Sequence, residues 1–257
     1  MILNWIGIAM GVAAILGGAL LEGLHLSALN QPTAAIIVFG GTIGATLLAS
    51  TPNEFSGALK GLMKVFLKGP PDFSGLSKEL LDLANLARKE GILALEKTVA
   101  STKNKFLAEN LRKVVDGYDP NVLKDMMEER IFRTEEEKTG SAKVWETAGG
   151  FSPTVGIIGA VLGLIHVMGN LSDPSKLGGG IAVAFVATVY GVAGANLVFI
   201  PLGNKLKKMA KEEAHEMELV VVALSGIQAG LNPRVIEDKM NNLLGDHAGH
   251  GAEKKAA

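Results

Sequence analysis

The chain has 257 residues, 48% of them hydrophobic, and 32 glycines, which is more apolar and small-residue content than a soluble domain ordinarily carries. A net charge of −1 offers no case for a nucleic acid partner, and the absence of cysteine excludes disulfides and thiolate metal ligands. In chain order, residues 1–50 hold two apolar runs. The first, Ile2 to Leu21, is uncharged and carries Gly7 and Gly11 at a spacing that lets helices approach closely. No Lys or Arg precedes it, so it reads as a retained span and not as a cleaved signal. Glu22 and His25 fall in a polar turn closing at Asn30-Gln31-Pro32, and a second span follows from Thr33 to Ala49.

Residues 51–150 differ in character. Of the 25 lysines and arginines, 16 lie between Ser50 and Gly150, and 8 more follow Pro201. Leu76, Leu80, Leu83 and Leu86 repeat at helical spacing, with Lys78, Glu79, Asp82 and Arg88 between them. Gly91 is placed to end that helix, since glycine accepts the left-handed conformation found beyond helix C-termini. A second helix is expected from about Ile92, and a third through Phe106, Leu107, Leu111 and Val114. Asp119-Pro120 is a start signal, an N-cap acceptor followed by proline at the first position. The helix it opens runs towards Glu135-Glu136-Glu137, and no alternating β pattern occurs.

Residues 151–204 read as a membrane hairpin. No Asp, Glu, Lys or Arg lies between Glu146 and Asp173, or between Lys176 and Lys205. Each gap exceeds the roughly 20 residues a helix needs to cross about 30 Å of hydrocarbon. The turn is expected over Leu171–Leu177. Lys and Arg accumulate on the cytoplasmic side of membranes, so four spans with this asymmetry put both termini, the central region and the tail inside the cell. In residues 205–257, Lys205, Lys207, Lys208 and Lys211 are expected to reach lipid headgroups. A helix continues to about Gln228, stops at Gly230 and restarts at Asn232-Pro233; the tail beyond Gly245 is expected to be disordered.

The predicted fold is therefore an all-α integral membrane protein, with four spans and a helical cytoplasmic domain between spans two and three. Nothing indicates an enzyme: there is no phosphate-binding loop, dinucleotide fingerprint or nucleophile elbow. His247 and His250, in a glycine-rich tail, read as solvent-exposed residues and not as a metal pair. No cofactor is expected. Within the spans only His166 is ionisable. Ion-moving proteins need a protonatable or ligating group at depth, so if this chain moves protons the central acid comes from another chain. The small residues of spans three and four fit close packing around such a chain and fit ordinary packing inside one bundle equally well.

SPTVGIIGAVLGLIHVM, then AVAFVATVYGVAGANLVFIP, with ARKEGILALE in the central region, resemble MotA, the membrane subunit of the flagellar stator. The resemblance covers nearly the whole chain. It implies a torque-generating subunit of the bacterial inner membrane, a homopentamer around a MotB-like single-span, peptidoglycan-binding partner whose aspartate carries the proton. Arg88 and Glu96 match the two charges that engage the rotor protein FliG; a plain surface charge pair is the alternative reading. Pro153 and Pro201 match prolines that couple ion flow to movement. Thr188 matches a threonine of the ion path, and Ala160 stands where sodium-driven members have a hydroxyl, which implies a proton. The alternative within the wider group is an ExbB/TolQ-like energiser of outer-membrane transport or envelope maintenance, whose members have three spans.

Overall fold

The structure, a computed structural model, describes residues 2–67, 69 and 71–245 and contains no strand among them. The helices are α1 (Ile2–Leu21), α2 (Pro32–Ala49), α3 (Pro52–Leu67), α4 (Phe73–Glu90), α5 (Glu96–Val99), α6 (Lys105–Val115), α7 (Pro120–Gly169), α8 (Pro174–Ala193), α9 (Ile200–Gln228) and α10 (Pro233–Leu244). A 3-10 turn, Ile92–Leu95, precedes α5. Two stretches are π-helical: Ile36–Gly40 inside α2, and Gly194–Phe199, which carries α8 into α9 without a break.

Among the described residues, four helices are long and apolar enough to cross a membrane: α1, α2, α7 and the α8–α9 run, as expected from the charge-free intervals. Asp119 and Asn232 cap α7 and α10, accepting from the Val122 and Arg234 amides at 3.1 Å each. Gly91 takes φ 87° at the end of α4 and Gly230 takes φ 66° after α9, as the glycine positions require. The hairpin turn is shorter than expected, because α7 ends at Gly169 and α8 begins at Pro174. The tail beyond Gly245, with His247 and His250, lies outside the described residues.

Two features depart from the sequence reading. The helix opened at Asp119 and span three are one element, α7, of 50 residues. Pro153 lies inside it and does not end it: the helix continues through it, with the flanking Ser152 and Gly156 packed against the α8 backbone. The second is α3, which the leucine periodicity does not announce. Its start is a reciprocal box: the Thr51 amide donates to Glu54 at 2.8 Å and the Glu54 amide donates to Thr51 Oγ1 at 3.3 Å. Hydrogen bonds from the Thr51 amide and hydroxyl, with a smaller attraction from Lys143, hold the Glu54 carboxyl below its ordinary range.

The chain divides into two compact units, residues 1–69 with 137–208, and residues 70–136 with 209–257. The second has a leucine-rich core. Leu80, Leu95, Leu107, Leu111 and Leu123 share it with Leu219, Leu224 and Ile236, all fully buried. Each such leucine contributes about 1.5–3 kcal/mol relative to exposure. The tail helices α9 and α10 are thus part of the same core as α4 and α6. The first unit holds the spans and the hairpin.

Candidate functional site

The hairpin is joined by a seam of small residues. An added Cβ at Gly156 would stand 2.9 Å from the Ala187 carbonyl oxygen, and at Gly163 2.8 Å from Gly180 O and Ala184 N. At Gly191 it would stand 2.6 Å from the Ser152 carbonyl and 3.1 Å from the Gly156 Cα. Backbone therefore meets backbone, which is the contact that small residues make possible in membranes. The buried Ser152 hydroxyl crosses the seam and donates to the Gly191 carbonyl at 2.9 Å. The seam continues past the apolar runs, where Gly203 lies against Ala142 and Glu146. Gly156, Gly163, Gly180 and Gly191 are thus used for packing within this chain.

The residues beside the seam sort onto two sides. One step along an α-helix turns about 100°, and in an antiparallel pair the step after each seam residue turns to the same side. The steps before seam residues bring Val155 against Gly41 of α2, and Val183, Val186 and Tyr190 against the Ala34–Phe39 stretch. The Tyr190 hydroxyl donates to the Leu29 carbonyl. That side is closed by span two.

The steps after seam residues carry Pro153, Ile157, Ala160 and Leu164 from α7 and Phe185 and Thr188 from α8. This side is open: Ile157 is 58% exposed and Phe185 71%. Two of the four residues named from the ion-path resemblance, Ala160 and Thr188, stand half-buried near its middle, and Pro153 is at one end. The Thr188 hydroxyl donates to Ala184 O at 3.3 Å, so its proton is committed and its oxygen is left to accept. Ala160 adds no oxygen. The face holds no acid and no base. His166 is exposed at the far end of α7, its ring beside Gly180.

Pro201 lies in α9 directly after the π-helical stretch. Gly149, one turn before Pro153, would meet Ile200 at 2.5 Å if it carried a Cβ, so the two prolines stand about one turn apart along the seam. Each removes one helical amide and leaves a carbonyl one turn earlier without its donor, a place where a helix bends at low cost. The roles that the resemblance implies for Pro153 and Pro201 predict that alanine at either position leaves assembly intact and abolishes torque. Tethered-cell rotation beside a pull-down of the complex checks this, and loss of assembly would make the prolines structural.

Lys207 departs from its expected role. Its ammonium pairs with both Glu146 oxygens at 2.9 Å, bridging α9 and α7, so it does not reach for headgroups. Both side chains keep solvent access, so the pair is worth no more than about 1 kcal/mol.

Arg88 and Glu96 sit on either side of the Gly91 turn, at the end of α4 and the start of α5. Both are exposed, and neither is in an ion pair among the described residues. The turn between them is anchored by Leu95, fully buried, while Leu93 is 73% exposed between the two charges. A fixed plus, an apolar tip and a fixed minus form a surface suited to contact, and Leu93 went unread because an isolated leucine has no pattern.

Comparison with known proteins gives this arrangement its family. Residues 5–91 match the Motility protein A N-terminal family and residues 98–219 the MotA/TolQ/ExbB proton channel family. Motility protein A of Helicobacter pylori (strain ATCC 700392 / 26695) is 35% identical over 93% of each chain. The chain belongs to the MotA family. Motility protein A of Aquifex aeolicus is 36% identical over 93% of this chain and 95% of its own. The solved structure of C. jejuni MotAB superposes with a TM-score of 0.89 at 31% identity, covering 94% of this chain and 95% of that one. Like other MotA family chains it is a multi-pass membrane protein, with the seam and the open face on its last two spans.

Proposed function

We propose that this chain is the torque-generating subunit of a flagellar stator, and that its open hairpin face is the wall of a proton path. Its place is the bacterial inner membrane, with both termini cytoplasmic. The observation that carries the reading is the face itself: two spans wide, uncovered in the single chain, centred on Thr188 and Ala160 and without an acid. A MotB-like partner, whose counterpart is named in the MotAB structures, supplies the missing carboxylate on its single span. Several copies of this chain, five by family analogy, surround that partner.

Protonation of the partner's carboxylate removes a charge that is costly to hold against an apolar face, and changes which subunit face it favours. One proton crossing 100 mV supplies about 2.3 kcal/mol, enough to bias a step by more than tenfold. Movement at the seam passes along α7, unbroken from Pro120 to Gly169, and along the α8–α9 run. Arg88 and Glu96 then engage a FliG-like rotor protein. Exposed ion pairs of about 0–1 kcal/mol are weak enough to be remade at each step.

The ion is H+ and no cofactor takes part. A sodium ion needs oxygen ligands in place of its water, and Ala160 offers none. Motility should therefore stop when an uncoupler collapses the proton gradient and persist in sodium-free medium. Swimming that tracks external sodium instead would overturn the ion assignment. The match of residues 5–91, covering span one, span two and the start of the central region, supports this reading over a three-span energiser of the ExbB/TolQ kind.

A further inference from the structure

The first unit contains a cavity of about 600 Å³ that the ion path does not use. It lies between α1, the second half of α2, α3, the stretch of α7 just before span three and the π-helical end of span four. Its size falls in the range of about 300–1,000 Å³ typical of ligand sites. The π-helical stretches of α2 and span four both contribute walls, through Phe39 and through Gly194 to Phe199. Such stretches widen a helix locally and are common at functional sites.

The chemistry of the lining decides the occupant. Four of its side chains carry polar atoms. Thr46 donates to the Thr42 carbonyl, Trp145 Nε1 to the Ala58 carbonyl, and Tyr190 to the Leu29 carbonyl. Only the buried Thr42 hydroxyl lacks a partner. One hydroxyl cannot satisfy a charged or strongly polar ligand, and an apolar cavity does not take up water.

The surroundings point the same way. Val12, Ile43 and Leu59 line the cavity and are also 41, 52 and 51% exposed, so it opens sideways onto the outer surface of the spans. α1, on one side of this opening, buries none of its residues within the chain. Ile8 and Val12 of α1 and Phe39 to Thr46 of α2 lie within about ten residues of the span ends next to the charged region, which is about 15 Å, or one leaflet of a bilayer of about 30 Å. Phe55, Ala58 and Leu59 of α3 and Val144 to Ala148 of α7 lie just beyond those ends. Left empty, the walls would lose their dispersion contacts, and the nearest material to restore them is hydrocarbon.

We infer that this cavity is a binding site for one acyl chain of a phospholipid from the adjoining leaflet, entering sideways between α1, α2 and α3. Lys60 and Lys64, exposed on α3, stand on the helix that forms its lower wall and suit an anionic or zwitterionic headgroup.

The test uses the full chain co-expressed with its partner. The complex is reconstituted in phosphatidylethanolamine–phosphatidylglycerol vesicles with a phospholipid carrying a diazirine in mid-chain. One portion is irradiated in vesicles, another after washing into lipid-free detergent. Adducts on the peptides of Thr42–Thr46 and Val144–Ala148 should survive washing, while those on α1 disappear. Ala148→Phe, or Ala193→Leu on α8, should lower the retained adducts about tenfold. Labelling of α1 in vesicles stays unchanged, which shows that the variants are folded and inserted. Retained adducts in both filled variants would overturn the inference, as would loss on washing at the rate seen for α1. Absence of adducts from these peptides in vesicles would overturn it too, by showing that a second copy of the chain covers the opening.

Discussion

A single methyl group at Gly191 should disable the protein. The Cβ of Gly191→Ala would lie 2.6 Å from the Ser152 carbonyl oxygen and 3.3 Å from the Pro153 Cα. Both neighbours are backbone, so no side chain can rotate away and the two helices must separate. Overpacking of this kind costs about 1–3 kcal/mol, and here it also pulls apart the Ser152–Gly191 hydrogen bond. Gly163→Ala, facing Gly180 and Ala184 backbone at 2.8 Å, should behave in the same way. Gly149→Ala meets the Ile200 side chain at 2.5 Å, which can move, and reaches the Ile200 backbone nitrogen only at 3.4 Å, so it should be milder. Gly178→Ala meets nothing within 4 Å and should be silent. Thermal midpoints of the purified complex and swimming speed should follow that order. Equal tolerance at Gly191 and Gly178 would show that the hairpin is not joined at its backbone.

Reversing the charge of Arg88 or Glu96 should have the second large effect, and on a different quantity. Neither residue is buried or in an ion pair among the described residues, so stability should stay within about 0.5 kcal/mol of the parent chain. Swimming should nonetheless fall steeply in Arg88→Glu and in Glu96→Arg, with unchanged amounts of complex in the membrane. The double reversal separates the two readings of these charges. If they serve each other as a surface pair, exchanging them restores the pair and the swimming. If each meets a complementary charge on the rotor, the double variant is at least as impaired as either single one, and only reversed charges on the rotor rescue it. Normal swimming in all three would remove the rotor contact from the mechanism.

Much of the architecture was legible because it follows from local rules. The spans announce themselves through charge-free length, and Gly91, Asp119-Pro120 and Asn232-Pro233 mark helix ends through backbone chemistry that needs no tertiary partner. The Thr51–Glu54 box was equally local, a Thr-x-x-Glu pattern with proline between, and α3 was there to be read from it. Leu93 and the unpartnered hydroxyl of Thr42 left no such trace. Their meaning depends on what surrounds them, which one residue type at one position does not encode. Lys207 misled for a related reason: a lysine near a span end fits a headgroup and fits Glu146, 61 positions away, equally well.

By itself, the order of residues determined the number of segments long and apolar enough to cross a membrane, the concentration of charge outside them, the absence of an acid within them and the family motifs. Each depends on composition along short windows, where the cost of burying charge or leaving an amide unpaired acts residue by residue. Tertiary structure alone decided which side of the hairpin is open. Glycine spacing says that helices may approach, but only their pairing in register sends Val155, Val183 and Tyr190 to span two and leaves Ala160 and Thr188 uncovered. It also decided that a cavity exists, since a void is the difference between five surfaces that lie far apart in the chain.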